Sequence, residues 1–279
     1  MSRRAGIIGH PVAHSLSPVF HAAAFAHCGL DVRYELWDTE PEALAGRVVS
    51  LRDGAILGAN VTIPHKEAVI PHLDELGGQS ARVGAVNTIV NRSGRLFGFN
   101  TDGPGFVAAL RNEAAFDPAG KSILLLGAGG AARGIAFALA EARVESLGIW
   151  NRTPARASRL AIDVNAALAS VHTARASDPS GYDCVVNCTS VGMEGGRNEG
   201  EIPCDLSLAR PGALAVDIVY KPAETAFLRA AGSHGLHTLG GLPMLIYQGA
   251  LAFELWTGVT APVDVMFEAA RARLRDSGR

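Results

Sequence analysis

Two sets of residues in this chain have types and spacings that could do chemistry. In the first, Gly127, Gly129 and Ala132 fill a GxGxxG/A template. The first glycine allows a tight turn, the second lets backbone approach a pyrophosphate, and the small third residue lets a helix pack on a strand. A helix opening near Gly130 aims free amide groups and its positive dipole end at that turn, where phosphate is favoured. An NAD site places an acid at the end of the next strand; this chain has Asn151 and Arg152 there, with Arg156 one helical turn on. Two guanidinium groups in place of a carboxylate match a 2'-phosphate, so NADP is the expected cofactor and hydride transfer its chemistry. Taken alone, the template also fits an empty strand-to-helix turn, and the arginines fit a solvated surface.

The second set lies in the first hundred residues. Ser15 and Ser17 are two apart, as are Asn60 and Thr62, so in extended backbone each pair points one way. Lys66 follows Pro64 at the start of an expected helix, Asn87 ends an apolar run, and Asp102 stands at a helix entrance. Of the 25 basic residues only Lys66, Lys121 and Lys221 are lysines. Where arginine serves for ordinary surface charge, a retained lysine points to a place that wants a compact or titratable amine. Singly, each of these residues also has a structural reading: Ser17 a helix cap, Asn60 a strand-end residue, Lys66 a solvated charge, Asp102 another cap.

The elements that must position them alternate. The stretch Ser122–Leu126 reads as a strand buried on both faces, followed by a helix from Gly130 and a strand over Leu147–Trp150. Before it come strands at Ala5–Gly9, Val32–Asp38, Ile56–Ile63, Ala85–Asn91 and Arg95–Gly98. Helices are expected at Pro18–Cys28, at Pro41–Leu51, from Lys66 through Leu76, and from Asp102 to about Glu113. After it come strands at Val171–Thr173, Asp183–Cys188, Ala213–Val219 and Leu236–Leu239, the outline of a doubly wound parallel sheet. The stretch Phe116–Gly120, with Pro118 and Gly120, reads as a linker at a domain boundary. The last forty residues are helical, the final helix carrying Val263, Met266, Phe267, Ala270 and Leu274 on one stripe.

Composition narrows the class. With 279 residues, 48% hydrophobic and 19% charged, the chain can build one large or two ordinary packed domains. A formal net charge of -2 offers no footprint for nucleic acid or a membrane surface, so no partner of either kind is expected. The apolar start is broken by His10, Pro11 and His14 before a signal sequence can form. The four cysteines form no CxxC pair, and Cys184 and Cys188 on a strand would stand about 13 Å apart by strand rise, beyond disulfide or metal chelation. A reduced, cytoplasmic setting without a metal site follows.

The segments GHPVAHSLSP, GANVTIPHKE, GAVNT, GFNTDG, GAGGAAR, NRTPAR, NCTSVGM and GLPMLIYQGA occur in the order found in shikimate dehydrogenases, and the resemblance covers nearly the whole chain. It implies an α/β fold: an N-terminal substrate domain over residues 1–104, a doubly wound Rossmann-type NADP domain over 105–240, and C-terminal helices over 241–279 returning to the first domain. It implies Lys66 and Asp102 as the catalytic pair. Ser15 and Ser17 would hold the substrate carboxylate, while Asn60, Thr62, Asn87, Asp102 and Gln248 would bind ring hydroxyls. Gly127, Ala128, Gly129, Gly130, Ala131, Asn151, Arg152, Thr153 and Arg156 would bind the cofactor. Thr189, Met193, Ile218 and Gly241 would line its nicotinamide end, where Tyr220 would also meet the substrate. The reaction implied is reversible reduction of 3-dehydroshikimate with NADPH, on the chorismate route to aromatic amino acids, by a monomer or homodimer. Quinate or an amino analogue as substrate, and a non-catalytic NADP sensor, are the alternatives; Ser17, where a threonine accompanies quinate use, favours shikimate.

That chemistry suits the residues. Ketone reduction needs a hydride on carbon, which the cofactor supplies, and a proton on oxygen. An ammonium group such as Lys66 can give the proton and stabilise the developing oxyanion. Hydroxyls and side-chain amides can each donate or accept, which fits a ring bearing several hydroxyls.

Overall fold

Short Val-, Ile- and Leu-rich runs alternate with Ala- and Leu-rich segments for most of the chain. In the computed structural model, which describes residues 2–166, 171–174 and 176–277, they form two units. One joins Met1–Thr101 to Ile246–Arg279, and the other is Asp102–Leu245.

The first unit contains β1 (Arg3–Gly9), α1 (Ser17–His27), β2 (Val32–Asp38), α2 (Leu44–Ser50), β3 (Ile56–Val61), β4 (Glu75–Leu76), α3 (Ser80–Val83), β5 (Thr88–Arg92) and β6 (Arg95–Phe99). Its sheet runs β2-β1-β3-β5-β6-β4. β1 lies parallel to β2 and β3, whereas β5 is antiparallel to both β3 and β6. Every residue of β3 is buried, as befits a strand covered on both faces. Ile8, Leu44, Val48, Leu51, Val61, Val69, Ile89 and Leu96 form the core on one side. The β5–β6 turn uses Ser93 and Gly94, both at positive φ (54° and 85°), the backbone a two-residue hairpin requires.

Several elements depart from the sequence reading. The expected helix through Leu76 is absent; a 3-10 turn at Ile70–His72 and the short β4 stand there, because Pro71 removes an amide donor and crowds the preceding turn. Lys66 is therefore a turn residue. β3 stops at Val61, three residues ahead of Pro64, and β5 starts only at Thr88, where the Val86 amide just before it bonds to the Lys66 carbonyl in the turn. Pro41–Leu51 divides into a 3-10 turn and α2. Ser17 does not cap α1: it is already helical, the N-cap is Leu16 at φ -81°, and the Ser15 hydroxyl accepts from the Ser17 amide at 3.2 Å. The Ser15 and Ser17 loop is thus not extended.

The second unit contains α4 (Asp102–Glu113), β7 (Ser122–Leu126), α5 (Gly130–Glu141), β8 (Ser146–Trp150), α6 (Pro154–Asn165), β9 (Val171–Thr173), β10 (Cys184–Asn187), β11 (Leu214–Asp217), α7 (Ala226–Ser233) and β12 (His237–Leu239). Its six strands are all parallel, in the order β12-β11-β10-β7-β8-β9. This is the doubly wound sheet, its order reversing between β7 and β10. Phe116–Gly120 joins α4 to β7 within this unit, and α4 lies so close on α5 that a Cβ at Gly103 would strike the Gly134 carbonyl.

α8 (Leu242–Thr257) starts in the second unit and continues in the first, followed by α9 (Val263–Ser277). α9 packs along α1 with Met266, Phe267 and Ala270 buried, and Phe253 of α8 meets Phe25 of α1 at 5.1 Å between ring centroids. All four cysteines are free, and burial raises the thiol pKa values of Cys184 and Cys188 well above normal. Among the described residues no helix is long and apolar enough to cross a membrane.

Candidate active site

In the second unit, β7 and β10 are neighbours, but the chain continues from them to opposite sides of the sheet. The crevice beyond their carboxyl ends is where sheets of this kind bind ligands. Gly127 leaves β7 there at φ 119°, its amide donating to the Trp150 carbonyl at 2.7 Å. A Cβ on Gly127 would sit 3.0 Å from the Cys188 carbonyl oxygen and 3.1 Å from the Thr189 methyl, so backbone fills the turn and no side chain fits. Gly129 caps α5 without any side-chain bond, and nothing lies within 4 Å of where its Cβ would be. The amides of the first helical turn, at Gly130 and Ala131, have no intrahelical partner and follow that open position, a cradle that fits a pyrophosphate. At the end of β8, Asn151 donates to the Thr153 carbonyl at 2.9 Å; Arg152 and Thr153 are exposed on the turn into α6, and Arg156 is exposed in its first turn.

Under the loops that carry Thr189, Ile218, Tyr220 and Gly241 lies a polar network that the motifs do not reveal. Asp217, fully buried at the end of β11, accepts from the Thr225 hydroxyl at 2.7 Å and from the Val219 amide and Asn187 Nδ2, both at 3.0 Å. Burial pushes its carboxyl above the usual range, and the three donors oppose that. Asn187 Oδ1 in turn accepts from the Thr189 hydroxyl at 2.7 Å and the Thr189 amide at 3.1 Å. The Ile218 amide donates to the Asn187 carbonyl, and the Gly241 amide to the Val219 carbonyl. One carboxylate thus anchors the segments that carry Thr189, Ile218, Tyr220 and Gly241. Tyr220 is half-buried and Met193 exposed. The available signal was an acid closing an apolar strand, LAVD.

In the first unit the predicted ligands converge through side chains. Asn87, buried just before β5, donates from Nδ2 to the Thr101 hydroxyl at 2.9 Å and to Gln248 Oε1 at 3.1 Å, and its Oδ1 accepts from the Thr101 amide at 2.7 Å. Asn60 on β3 lies beside it, with Nδ2 at 3.3 Å from the Asn87 carbonyl and 3.4 Å from the Thr88 hydroxyl. The Tyr34 phenol on β2 donates to Asn60 Oδ1 at 2.7 Å. The sequence reading did not single out Tyr34, Thr88 or Thr101; a tyrosine within VRYELWD gives no motif signal. Thr62 follows β3, half-buried, its amide donating to the Ile8 carbonyl at 2.8 Å. Lys66 is half-buried, and its carbonyl accepts from the Val86 amide at 2.7 Å, one residue from Asn87. Asp102 is buried and opens α4 directly after Thr101, as the first residue of the second unit.

Three family descriptions match the chain in succession: the shikimate dehydrogenase substrate binding domain over residues 7–89, shikimate / quinate 5-dehydrogenase over 110–191, and the shikimate 5'-dehydrogenase C-terminal domain over 241–271. The shikimate dehydrogenase (NADP(+)) of Moorella thermoacetica is 49% identical over 272 residues, covering 95% of this chain and 91% of its own length. That of Geobacillus kaustophilus is 45% identical over 281 residues, covering 99% of this chain and all of the other. Shikimate 5-dehydrogenase from Thermus thermophilus, solved in complex with NADP(H) and shikimate, superposes with a TM-score of 0.89 at 46% identity, covering 97% of this chain and 99% of that one.

Proposed function

The chain belongs to the shikimate dehydrogenase family, and from that premise we propose that it catalyses the reversible, NADP-dependent reduction of 3-dehydroshikimate to shikimate. The observation that carries this reading is the likeness, over almost the full length of both chains, to a dehydrogenase solved with NADP(H) and shikimate. The residues at hand suit both ligands. Gly127 and Gly129 leave room for a pyrophosphate, and Arg152 and Arg156 supply charge for a 2'-phosphate where an NAD site would place an acid. When bound, the cofactor supplies the hydride.

The protein's own residues do the rest in this reading. Residues 1–104 hold the substrate, 105–240 the cofactor, and 241–279 return Gln248 to the substrate's side. Ser15 and Ser17 receive the carboxylate; Asn60, Thr62, Asn87 and Gln248 hold ring hydroxyls; Tyr220 closes on the substrate. Thr189, Met193, Ile218 and Gly241 line the nicotinamide end. As the carbonyl carbon gains its hydride, the oxygen gains charge; the Lys66 ammonium stabilises that charge and delivers a proton, giving the alcohol. Asp102 orients the amine and accepts a hydrogen bond from the neighbouring ring hydroxyl. Four free thiols accord with a reducing compartment, taken as the cytoplasm, where the enzyme works as monomer or homodimer.

Steady-state oxidation of shikimate and of quinate, each with NADP+ and with NAD+, tests the assignment through the absorbance of the reduced cofactor. Shikimate with NADP+ is expected to give the highest kcat/KM of the four pairs. A preference for quinate, or for NAD+, would refute it.

A further inference from the structure

Three rings from separate elements meet behind the polar cluster of the first unit. Tyr34 of β2 stacks on His21 of α1 at 4.5 Å between centroids and 10° between planes, and Trp256 of α8 lies 5.2 Å from His21 and 6.2 Å from Tyr34. Trp256 is itself fixed, its indole N–H donating to the Ile89 carbonyl at 2.9 Å. His21 has no exposed surface; the Asn60 side chain faces its ring, but neither ring nitrogen makes a well-formed hydrogen bond among the described residues. Burial pushes the imidazole down to about 3, Asn60 nearby opposing only in part, so His21 is neutral at ordinary pH and contributes a flat face rather than a charge. The stack leaves Tyr34 little freedom; its phenol donates to Asn60 Oδ1 at 2.7 Å, and the Ser17 hydroxyl faces the same phenol oxygen.

That bond decides how Asn60 is presented. A carboxamide can offer either its oxygen or its NH2 group to a ligand, and the choice is set by its neighbours. On one side stands the Asn87 carbonyl, an acceptor only, which requires the NH2 group; but at 3.3 Å that contact is long, as is the one to Thr88 at 3.4 Å. The short bond from the Tyr34 phenol occupies the oxygen and so holds the NH2 end in place.

We propose that Tyr34 is a positioning residue for substrate: its phenol fixes the Asn60 carboxamide so that Asn60 meets a ring hydroxyl as a donor. The inference rests on the proposed role of Asn60 as a substrate contact. Tyr34→Phe removes one oxygen and keeps the ring, its stack on His21 and its distance from Trp256. The effect falls on substrate through Asn60; the Ser17 hydroxyl, which also faces the phenol, is the competing route that the Asn60→Ala background separates.

The test is a double-mutant cycle of Tyr34→Phe and Asn60→Ala in shikimate oxidation with NADP+. Tyr34→Phe should raise the KM for shikimate about five- to tenfold, the worth of one short hydrogen bond, and leave the KM for NADP+ within about twofold. In the Asn60→Ala background the same change should add less than about twofold, since its target is gone. Equal shifts in both KM values, or an undiminished effect without Asn60, would overturn the proposal and leave Tyr34 a packing residue. If Asn60→Ala itself leaves the KM for shikimate unchanged, the site reading beneath the proposal fails, and the proposal with it.

Discussion

The two units offer different material to the ligands proposed for them. In the second unit the turn proposed for the cofactor is backbone: Gly127 and Gly129 contribute by what they lack, and the unpaired amides at the start of α5 are the groups proposed to hold phosphate. In the first unit the groups proposed for substrate are side chains drawn from far apart, Tyr34 bonded to Asn60, Asn60 to Asn87, and Asn87 to both Thr101 and Gln248. A backbone site is damaged by adding an atom, and a side-chain site by removing one.

The largest expected effect tests whether the backbone site is self-supporting. Asp217→Ala leaves three buried donors, from Asn187, Val219 and Thr225, without an acceptor. At about 1–3 kcal/mol for each orphaned group, partly relieved by water, urea denaturation should show a loss of about 3 kcal/mol or more, with weakened NADP binding. A loss under about 1 kcal/mol would mean that the turn stands without its side-chain anchor.

Next in size is Gly127→Ala. A methyl here meets the Cys188 carbonyl at 3.0 Å and forces alanine to φ 119°. Strain of about 1–3 kcal/mol in the cofactor turn corresponds to a KM for NADP raised about tenfold or more. The KM for shikimate should hold; if both rise together, the two halves are not separable as argued.

The smallest effect concerns the strand frame of the first unit. Arg52 grips Asp74 through both carboxylate oxygens, at 2.6 and 3.1 Å, and the Leu96 amide donates to it at 2.7 Å. The Arg52 guanidinium first, then the Leu96 amide, holds the Asp74 carboxyl down to about 2 from an ordinary 3.8. A lowered carboxylate stabilises the fold above its unfolded value and loses that stabilisation as the pH falls through the folded one. In Asp74→Asn, therefore, Tm should fall less steeply than in wild type between pH 4 and 2, a window set by those two values. Identical acid limbs would show that this pair contributes nothing.

The same contrast explains what the sequence made legible. The glycine turn, the strands around it and the basic tip at Arg152 are local patterns, readable because a few adjacent residues dictate one backbone path. The polar residues of the first unit were visible as candidates, but their partners were not. Asn87 meets Gln248 across 161 positions, and Tyr34 meets Asn60 across 26, distances at which spacing carries no information. The helix expected from Lys66 through Leu76 fails for a local reason, Pro71, which removes an amide donor within it. Asp217 lies inside the strand expected over Ala213–Val219 with no motif in the sequence to single it out, and it is a buried hub at the end of β11.

The account stands or falls on Lys66, the amine proposed to deliver the proton. Lys66→Met keeps the bulk of the side chain and removes its charge, so the direct measurement is kcat and KM for shikimate in that variant, beside a check that NADP still binds. The expected result is a turnover lowered by several orders of magnitude with a far smaller change in KM, the mark of a group that acts in the transition state. Turnover near the wild-type value would contradict it.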